Sequence, residues 1–90
     1  MNNMKRIVIL SSEEDYWEAC YVDGVCVGQA HHLGEGSGKI GFLRPILSAN
    51  KLSLEDVLEV SAEPEDDEKA MNTGAFPQLL SDLLGDYDLD

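Results

Sequence analysis

The stretch ACYVDGVCVG, residues 19–28, decides how this chain begins to fold. Two apolar runs flank the dipeptide Asp23-Gly24, which favours a type I′ hairpin because glycine tolerates the positive φ that this turn needs. We place the two strands near residues 15–22 and 25–31. The sequence therefore predicts a β-hairpin as the starting point of a sheet.

The two-residue turn also sets the register of this hairpin. Tyr21 is expected opposite Cys26, and Cys20 opposite Val27. Both faces are then largely apolar, so we expect either cover on each side of the sheet or one face used for binding. One face carries Cys20, Val22, Val25 and Val27, and the other carries Trp17, Ala19, Tyr21, Cys26 and Ala30.

Both cysteines and both histidines lie in or just after the hairpin. Because Cys20 and Cys26 are predicted on opposite faces, we expect neither a disulfide nor shared metal ligation, but two reduced thiols packed as small apolar groups. His31 and His32 are adjacent and point to opposite faces, so a metal site using either needs ligands from elsewhere. They are the candidate metal ligands, although two partly exposed histidines beside a loop are the simpler interpretation.

The glycine-rich segment that follows, GEGSGKIG, invites a phosphate-binding interpretation. A P-loop would need Gly at Leu33 and Ser or Thr at Ile40, and both anchors are missing. The letters also match G-x-G-x-x-G, but a hairpin precedes them rather than a βαβ unit, so dinucleotide binding is not expected. The alternatives are a small anion held by Gly36, Gly38 and Lys39, or a flexible connection.

Elements outside the hairpin follow from other local patterns. The run KRIVILS at residues 5–11 predicts a strand buried on both faces. Proline and apolar spacing predict a helix from about Pro45 to Asn50, a helix opening at Pro64, and a helix over Phe76–Leu84 that stops at Gly85. Between them we favour a turn at 53–55 with a strand at 56–62; the alternative is a helix over 53–62, since Ser53 and Asp56 resemble a capping box.

These elements together predict a single α+β domain over residues 1–85, followed by an acidic tail at residues 86–90. Its sheet is expected to be antiparallel, with three or four strands built around the Asp23-Gly24 hairpin. Two or three helices cover it, and the stripe from Phe76 to Leu84 is expected to be the best packed of them.

Charge is the strongest global feature of the 90 residues, whose formal net charge is −12. Residues 1–53 carry six acids and five bases, a net of −1, whereas residues 54–90 carry twelve acids and one base, a net of −11. An acidic half repels nucleic acid, anionic membrane and phosphorylated substrates, and it attracts basic surfaces. Direct nucleic-acid binding is therefore not expected.

We interpret the acidic half as a binding surface for a basic protein, such as a nuclease or a nucleic-acid-binding protein. The protein would block or sequester this partner, as an immunity protein, a phage-encoded inhibitor or a nucleic-acid mimic does. The solvated start of a helix is the simpler interpretation of the same acids. The predicted partner-binding residues are Glu63, Glu65, Asp66, Asp67, Glu68, Asp82, Asp86, Tyr87 and Asp88.

Two other classes of function stay open on the sequence alone. One is a small assembly or housekeeping module, a homodimer through a sheet face, whose charge serves solubility. The other is a metal- or anion-binding protein that uses His31, His32 and the glycine-rich segment. We expect no enzyme and no cofactor, because nucleophile, base and orienting acid do not occur together. The longest early apolar run has four residues, too short for a signal or membrane segment, which predicts a cytoplasmic protein.

Overall fold

The computed structural model of the protein describes residues 6–12, 17–31, 38–85 and 87. These residues form a four-stranded sheet and two α-helices, so the chain has the α+β fold that the sequence predicts. In chain order the elements are β1 (Ile7–Ser11), β2 (Glu18–Val22), β3 (Val25–Ala30), α1 (Gly38–Asn50), β4 (Val57–Ser61) and α2 (Pro64–Thr73), with 3₁₀ turns at Leu54–Asp56 and Leu80–Asp82.

The sheet has the strand order β3-β2-β1-β4 and is mixed rather than antiparallel as predicted. The first three strands pair antiparallel, whereas β4 lies parallel to β1. The difference arises because α1 carries the chain back over the sheet, so that β4 runs in the same direction as β1; parallel neighbours need such a crossover. Four residues of β1 are buried, which confirms the predicted two-sided strand.

The hairpin turns at Asp23 and Gly24, both at positive φ, which confirms the predicted turn. The predicted register holds for the first two pairs, and then a β-bulge sets Cys20 opposite Gly28 instead of Val27. The register beyond that point was wrong, because the extra residue Val27 shifts every later residue of β3 to the other face. Gly28 suits this place, since an added Cβ would lie 3.2 Å from the Phe42 ring.

Both faces of the sheet are covered within the chain, which is the first of the two alternatives that the hairpin pattern left open. On the face that we call the α1 face, Ile7, Ile9 and Cys20 pack against Leu43 of α1. On the opposite face, the α2 face, the buried cluster is Val8, Leu10, Ala19, Tyr21, Cys26, Phe76 and Leu80, with Ala70 of α2 packed against it.

Helix α1 begins at Gly38, seven residues before the predicted start at Pro45, and ends at Asn50 as predicted. Pro45 lies inside the helix on an exposed side, where the carbonyl that loses its intrahelical partner can meet water. The earlier turns place Leu43 and the half-buried Phe42 on the sheet. That burial outweighs the local preference of the residue before a proline.

The remaining predictions were confirmed before residue 74 and wrong after it. A 3₁₀ turn followed by β4, and α2 opening with Pro64 in its first turn, confirm what residues 53–73 predicted. The predicted helix over Phe76–Leu84 was wrong: Leu79 forms an isolated β-bridge with Val25, residues 80–82 form a 3₁₀ turn, and the rest of the segment is irregular.

Edge pairing explains why residues 76–84 do not form a helix. The Cys26 N–H donates to the Gln78 carbonyl at 2.8 Å, and the Leu80 N–H donates to the Gly24 carbonyl at 2.8 Å. The segment thus satisfies backbone groups on the open edge of β3, which a helix cannot do. Phe76 and Leu80 are buried as expected, but Leu84 is 59% exposed.

Candidate functional site

Helix α2 carries the acidic run and lies against the α2 face of the sheet. Pro64 opens the helix, and Gly74, in the left-handed conformation, ends it by donating its N–H to the Ala70 carbonyl. Three acids occupy the first turn, where the positive end of the helix dipole favours carboxylates. Glu63, Glu65 and Glu68 are exposed, whereas Asp66 and Asp67 face inward.

Asp66 is 2% exposed and holds the C-terminal segment in place. Its two carboxylate oxygens accept hydrogen bonds from the backbone N–H groups of Leu84, at 2.7 Å, and Gly85, at 2.8 Å. The Tyr87 hydroxyl donates a third, at 2.7 Å. Gly85 is needed here, because a Cβ would come within 2.6 Å of the Glu63 side chain. Asp66 is therefore a satisfied, structural carboxylate.

Tyr87 completes this contact from the C-terminal side. Its hydroxyl also accepts a hydrogen bond from the Glu63 backbone N–H at 2.8 Å. Burial, and then the hydrogen bond to Asp66, raise the pKa of Tyr87 far above its ordinary value. The structure thus places Asp66 and Tyr87, both predicted to bind a partner, in contacts inside the chain.

Asp67 follows Asp66 in the chain and is also buried, but its hydrogen bonding is different. It is 9% exposed, and its Oδ1 has no hydrogen-bond partner among the described residues. A buried carboxylate oxygen without a partner is costly, because it has lost water and gained nothing in return. Asp67 is therefore the unsatisfied acceptor of this helix.

Two clefts meet at Asp67 and Met71, which line both of them. The first, which we call the acidic cleft, has a volume of about 590 Å³ and is lined by the carboxylates of Glu63, Asp67 and Glu68 beside Ala62, Pro64 and Met71. The second, the tryptophan cleft, has a volume of about 220 Å³ and is lined by Ser12, Trp17, His31, Asp67, Met71 and Ala75.

Gln29 positions the aromatic wall of the tryptophan cleft. Its Oε1 accepts hydrogen bonds from the Trp17 indole N–H, at 2.8 Å, and from the Phe76 N–H, at 2.9 Å. Its Nε2 donates to the Phe76 carbonyl at 3.1 Å. The His31 ring packs edge-on against Trp17, with the ring centroids 5.1 Å apart. Sequence reasoning missed Gln29, whose only signal was a polar side chain in an apolar hairpin.

Of the two predicted metal ligands the structure describes only His31, and it brings this residue into no metal site within the described part of the chain. Within residues 6–12, 17–31, 38–85 and 87, no group of three or more His, Cys, Asp or Glu side chains is arranged to hold a metal. His31 is exposed and packs on Trp17. His32 and Gly36 lie outside the described residues, and Gly38 and Lys39 belong to the first turn of α1 rather than to a loop.

The two cysteines are free and buried, one on each face of the sheet, as predicted. Burial raises the pKa of the Cys20 thiol to about 11, because the thiolate is disfavoured away from water. Tyr21 is fully buried, and its hydroxyl donates to the Pro77 carbonyl at 2.6 Å.

Three of the predicted partner-binding acids, at positions 82, 86 and 88, follow helix α2 in the chain rather than belonging to it. Asp82 is exposed, in the 3₁₀ turn after Leu79, while Asp86 and Asp88 lie outside the described residues. The structure therefore brings Glu63, Asp67 and Glu68 together in one cleft and leaves Asp82 apart from it.

The comparisons with known proteins identify no relative of this chain. No protein-family model matches the chain, and neither the curated proteins nor the solved structures contain a significant match. Of the helices in the described part of the chain, none is long and apolar enough to span a bilayer.

Proposed function

We propose that this protein is a non-enzymatic binding protein that docks its acidic α2 surface on a basic protein and so blocks or sequesters it. The observation that carries the proposal is the acidic cleft, where exposed Glu63 and Glu68 stand beside the buried carboxylate of Asp67. Three carboxylates around one concavity suit a convex, positively charged element of a partner.

The charge distribution supports the same partner class. Residues 54–90 carry a net charge of −11, from twelve acids and one base, so the field near α2 attracts cations and repels nucleic acid. Nuclease-type and nucleic-acid-binding proteins present basic surfaces, because they must bind phosphates. A protein of this charge competes for such a surface.

Apolar atoms beside the carboxylates give this surface more than long-range attraction. Met71 is 59% exposed and lines the cleft together with Pro64 and Ala62. Binding energy at interfaces concentrates where apolar contact and polar pairing occur together, because the surrounding contacts exclude water. The proposed contact surface is therefore the acidic cleft itself, with Glu63, Asp67, Glu68 and Met71 as its main contacts.

A pair of charge-matched variants tests the proposal. The double variant Glu63→Gln, Glu68→Gln removes two exposed carboxylates that line the cleft, and Glu55→Gln, Glu59→Gln removes two exposed carboxylates outside it. Each form is used as bait in an extract of the cells that the protein comes from, at low and at high salt. We expect a basic protein to be retained at low salt, released by salt and lost with the first variant only.

Equal losses in both variants would contradict a specific surface, because the effect would then follow total charge alone. Retention of no basic protein, or self-association of the bait, would also contradict the proposal and leave the charge as a means of solubility. Circular dichroism and thermal unfolding of both variants confirm that each bait is folded.

A further inference from the structure

The tryptophan cleft is lined by Asp67, a buried acid of α2 whose Oδ1 has no hydrogen-bond partner among the described residues. We infer that this cleft is a receptor for a single arginine side chain of the partner, with the Asp67 carboxylate as its acceptor. The inference rests on the proposed function and names the chemical group that the basic partner inserts.

The first step of the argument is the contrast between two adjacent acids. Asp66 is buried and accepts three hydrogen bonds, so the fold satisfies a buried carboxylate where it needs one. Asp67 is nearly as buried, and its Oδ1 is unpaired among the described residues. An unpaired buried charge lowers stability, so its natural complement is a cation that arrives from outside.

The second step is the shape of the cleft. Its volume of about 220 Å³ corresponds to roughly seven waters at about 30 Å³ each, the scale of one long side chain rather than of a helix or a loop. Trp17, Met71 and Ala75 supply apolar walls, Ser12 and His31 add polar atoms, and Asp67 supplies the negative charge. A partly apolar cleft with one carboxylate fits a side chain with an aliphatic stem and a cationic head.

The third step distinguishes arginine from lysine. A guanidinium is planar, weakly hydrated and able to donate two parallel hydrogen bonds to one carboxylate, whereas an ammonium is compact and strongly hydrated. A guanidinium also packs favourably on an indole ring such as Trp17. Among the described residues no hydrogen bond fixes Oδ1, so rotation about χ2 can turn the carboxylate toward both donors.

Trp17 is the only tryptophan, so its indole N–H gives a single reporter signal inside the cleft. We would titrate the labelled protein with arginine amide, lysine amide and citrulline amide at constant ionic strength and follow this signal by NMR. Citrulline is the neutral counterpart of arginine with nearly the same shape. We expect a saturable shift with arginine amide, a weaker one with lysine amide and none with citrulline amide.

Two variants on the same helix assign the effect to one carboxylate. Asp67→Asn should weaken binding of arginine amide about tenfold or more, because it removes the charge and one acceptor. Glu65→Gln removes an exposed charge that lines neither cleft and should change the affinity less than about twofold. Ala75→Met fills the cleft without altering charge and should abolish the shift, which keeps the test decisive if Asp67→Asn folds poorly.

Equal shifts with arginine and citrulline amides, no saturable shift with arginine amide, or unchanged binding by Asp67→Asn would each overturn the inference. Equal affinity for lysine and arginine amides would overturn the choice of arginine. These outcomes are independent of the bait experiment. A partner retained through Glu63 and Glu68, with no arginine effect at Trp17, would leave the proposed function standing without this receptor.

Discussion

The two faces of the sheet are covered in different ways. On the α1 face, Ile9 and its neighbours pack against a regular helix, and the buried side chains of that cluster are apolar apart from one thiol. On the α2 face, much of the cover is the irregular run of residues 74–85 together with Tyr87, and polar side chains hold it: Tyr21, Gln29 and Asp66 all bond to its backbone or to Tyr87.

This difference follows from backbone hydrogen bonding. A helix satisfies most of its own N–H and C=O groups and can be held by apolar contact alone, whereas an irregular segment must find partners for them elsewhere. Both clefts lie along α2, and the tryptophan cleft also borders the irregular segment at Gly74 and Ala75.

The α1 face should give the largest loss of stability on truncation. Ile9 is fully buried there, and Ile9→Ala removes apolar contact and leaves a cavity. We expect the free energy of unfolding to fall by about 2–5 kcal/mol, measured by urea denaturation. Val27→Ala, at a bulge position that is 51% exposed, is the control and should stay within about 0.5 kcal/mol of the wild type. A loss at Ile9 no greater than at Val27 would show that the α1 face is not tightly packed.

On the α2 face, Asp66→Asn should be the most damaging polar substitution. Asn has an NH₂ group where Asp66 has its second carboxylate oxygen. This NH₂ would face the backbone N–H of Leu84 or Gly85, and because both groups are donors a buried hydrogen bond is lost there. We expect a loss of about 2–3 kcal/mol, with faster hydrogen exchange of these two amides. Asp67→Asn is the matched control and should not destabilise, because it removes an unpaired buried charge. Equal losses of stability in Asp66→Asn and Asp67→Asn would contradict the different structural roles assigned to the two carboxylates.

A smaller effect is expected at Gln29. Replacing it with Leu keeps the volume but removes the contacts to Phe76 and the Trp17 indole N–H. The free energy of unfolding should fall by about 1–2 kcal/mol, and the indole N–H should exchange faster with solvent. Gln78→Leu removes one side-chain hydrogen bond at an exposed position and should cost less. Unchanged indole exchange in the Gln29 variant would show that Trp17 is positioned by packing alone.

The smallest effect on stability is expected at Asp23, whose carboxylate lies at the hairpin turn and covers neither face of the sheet. The Arg6 guanidinium hydrogen-bonds to Asp23 at 2.8 Å at the exposed hairpin turn, and this contact lowers the pKa of Asp23. A lowered pKa in the folded state stabilises the protein above the ordinary pKa of Asp. That contribution is lost as the pH falls through the lowered value.

Comparing the wild type with Arg6→Gln tests this sign. The wild type should be slightly more stable at neutral pH, and the difference should disappear in acid once Asp23 is protonated. NMR titration of the Asp23 carboxyl should show its pKa returning to the ordinary value in the variant. A difference that grew in acid would contradict the assigned ion pair.

Local patterns predicted those elements whose conformation depends on neighbouring residues. The Asp23-Gly24 turn, the two-sided strand β1 and the start of α2 at Pro64 all rest on backbone preference or short-range periodicity. Such signals fail where distant groups compete. Leu79, Leu80 and Leu84 have helical spacing, yet the open edge of β3 binds this segment in a non-helical form.

The candidate site shows the same division. The sequence predicted an acidic surface on α2, because the run of acidic residues after Pro64 can be read directly from it. It did not distinguish Asp66 from Asp67, since the partners of Asp66 lie 18 to 21 residues away, in a segment whose conformation was wrongly predicted. Gln29 was missed for a related reason, because the bulge at Val27 sets which face it occupies.

By itself, then, the sequence determined the hairpin, the fold class, the concentration of charge in residues 54–90 and the free state of the two thiols. Tertiary structure alone decided the direction of β4, the non-helical path of residues 76–84 and the different environments of Asp66 and Asp67. The physical reason is range. Turn geometry and periodicity act over a few residues, whereas edge pairing and the satisfaction of a buried carboxylate depend on groups that only folding brings together.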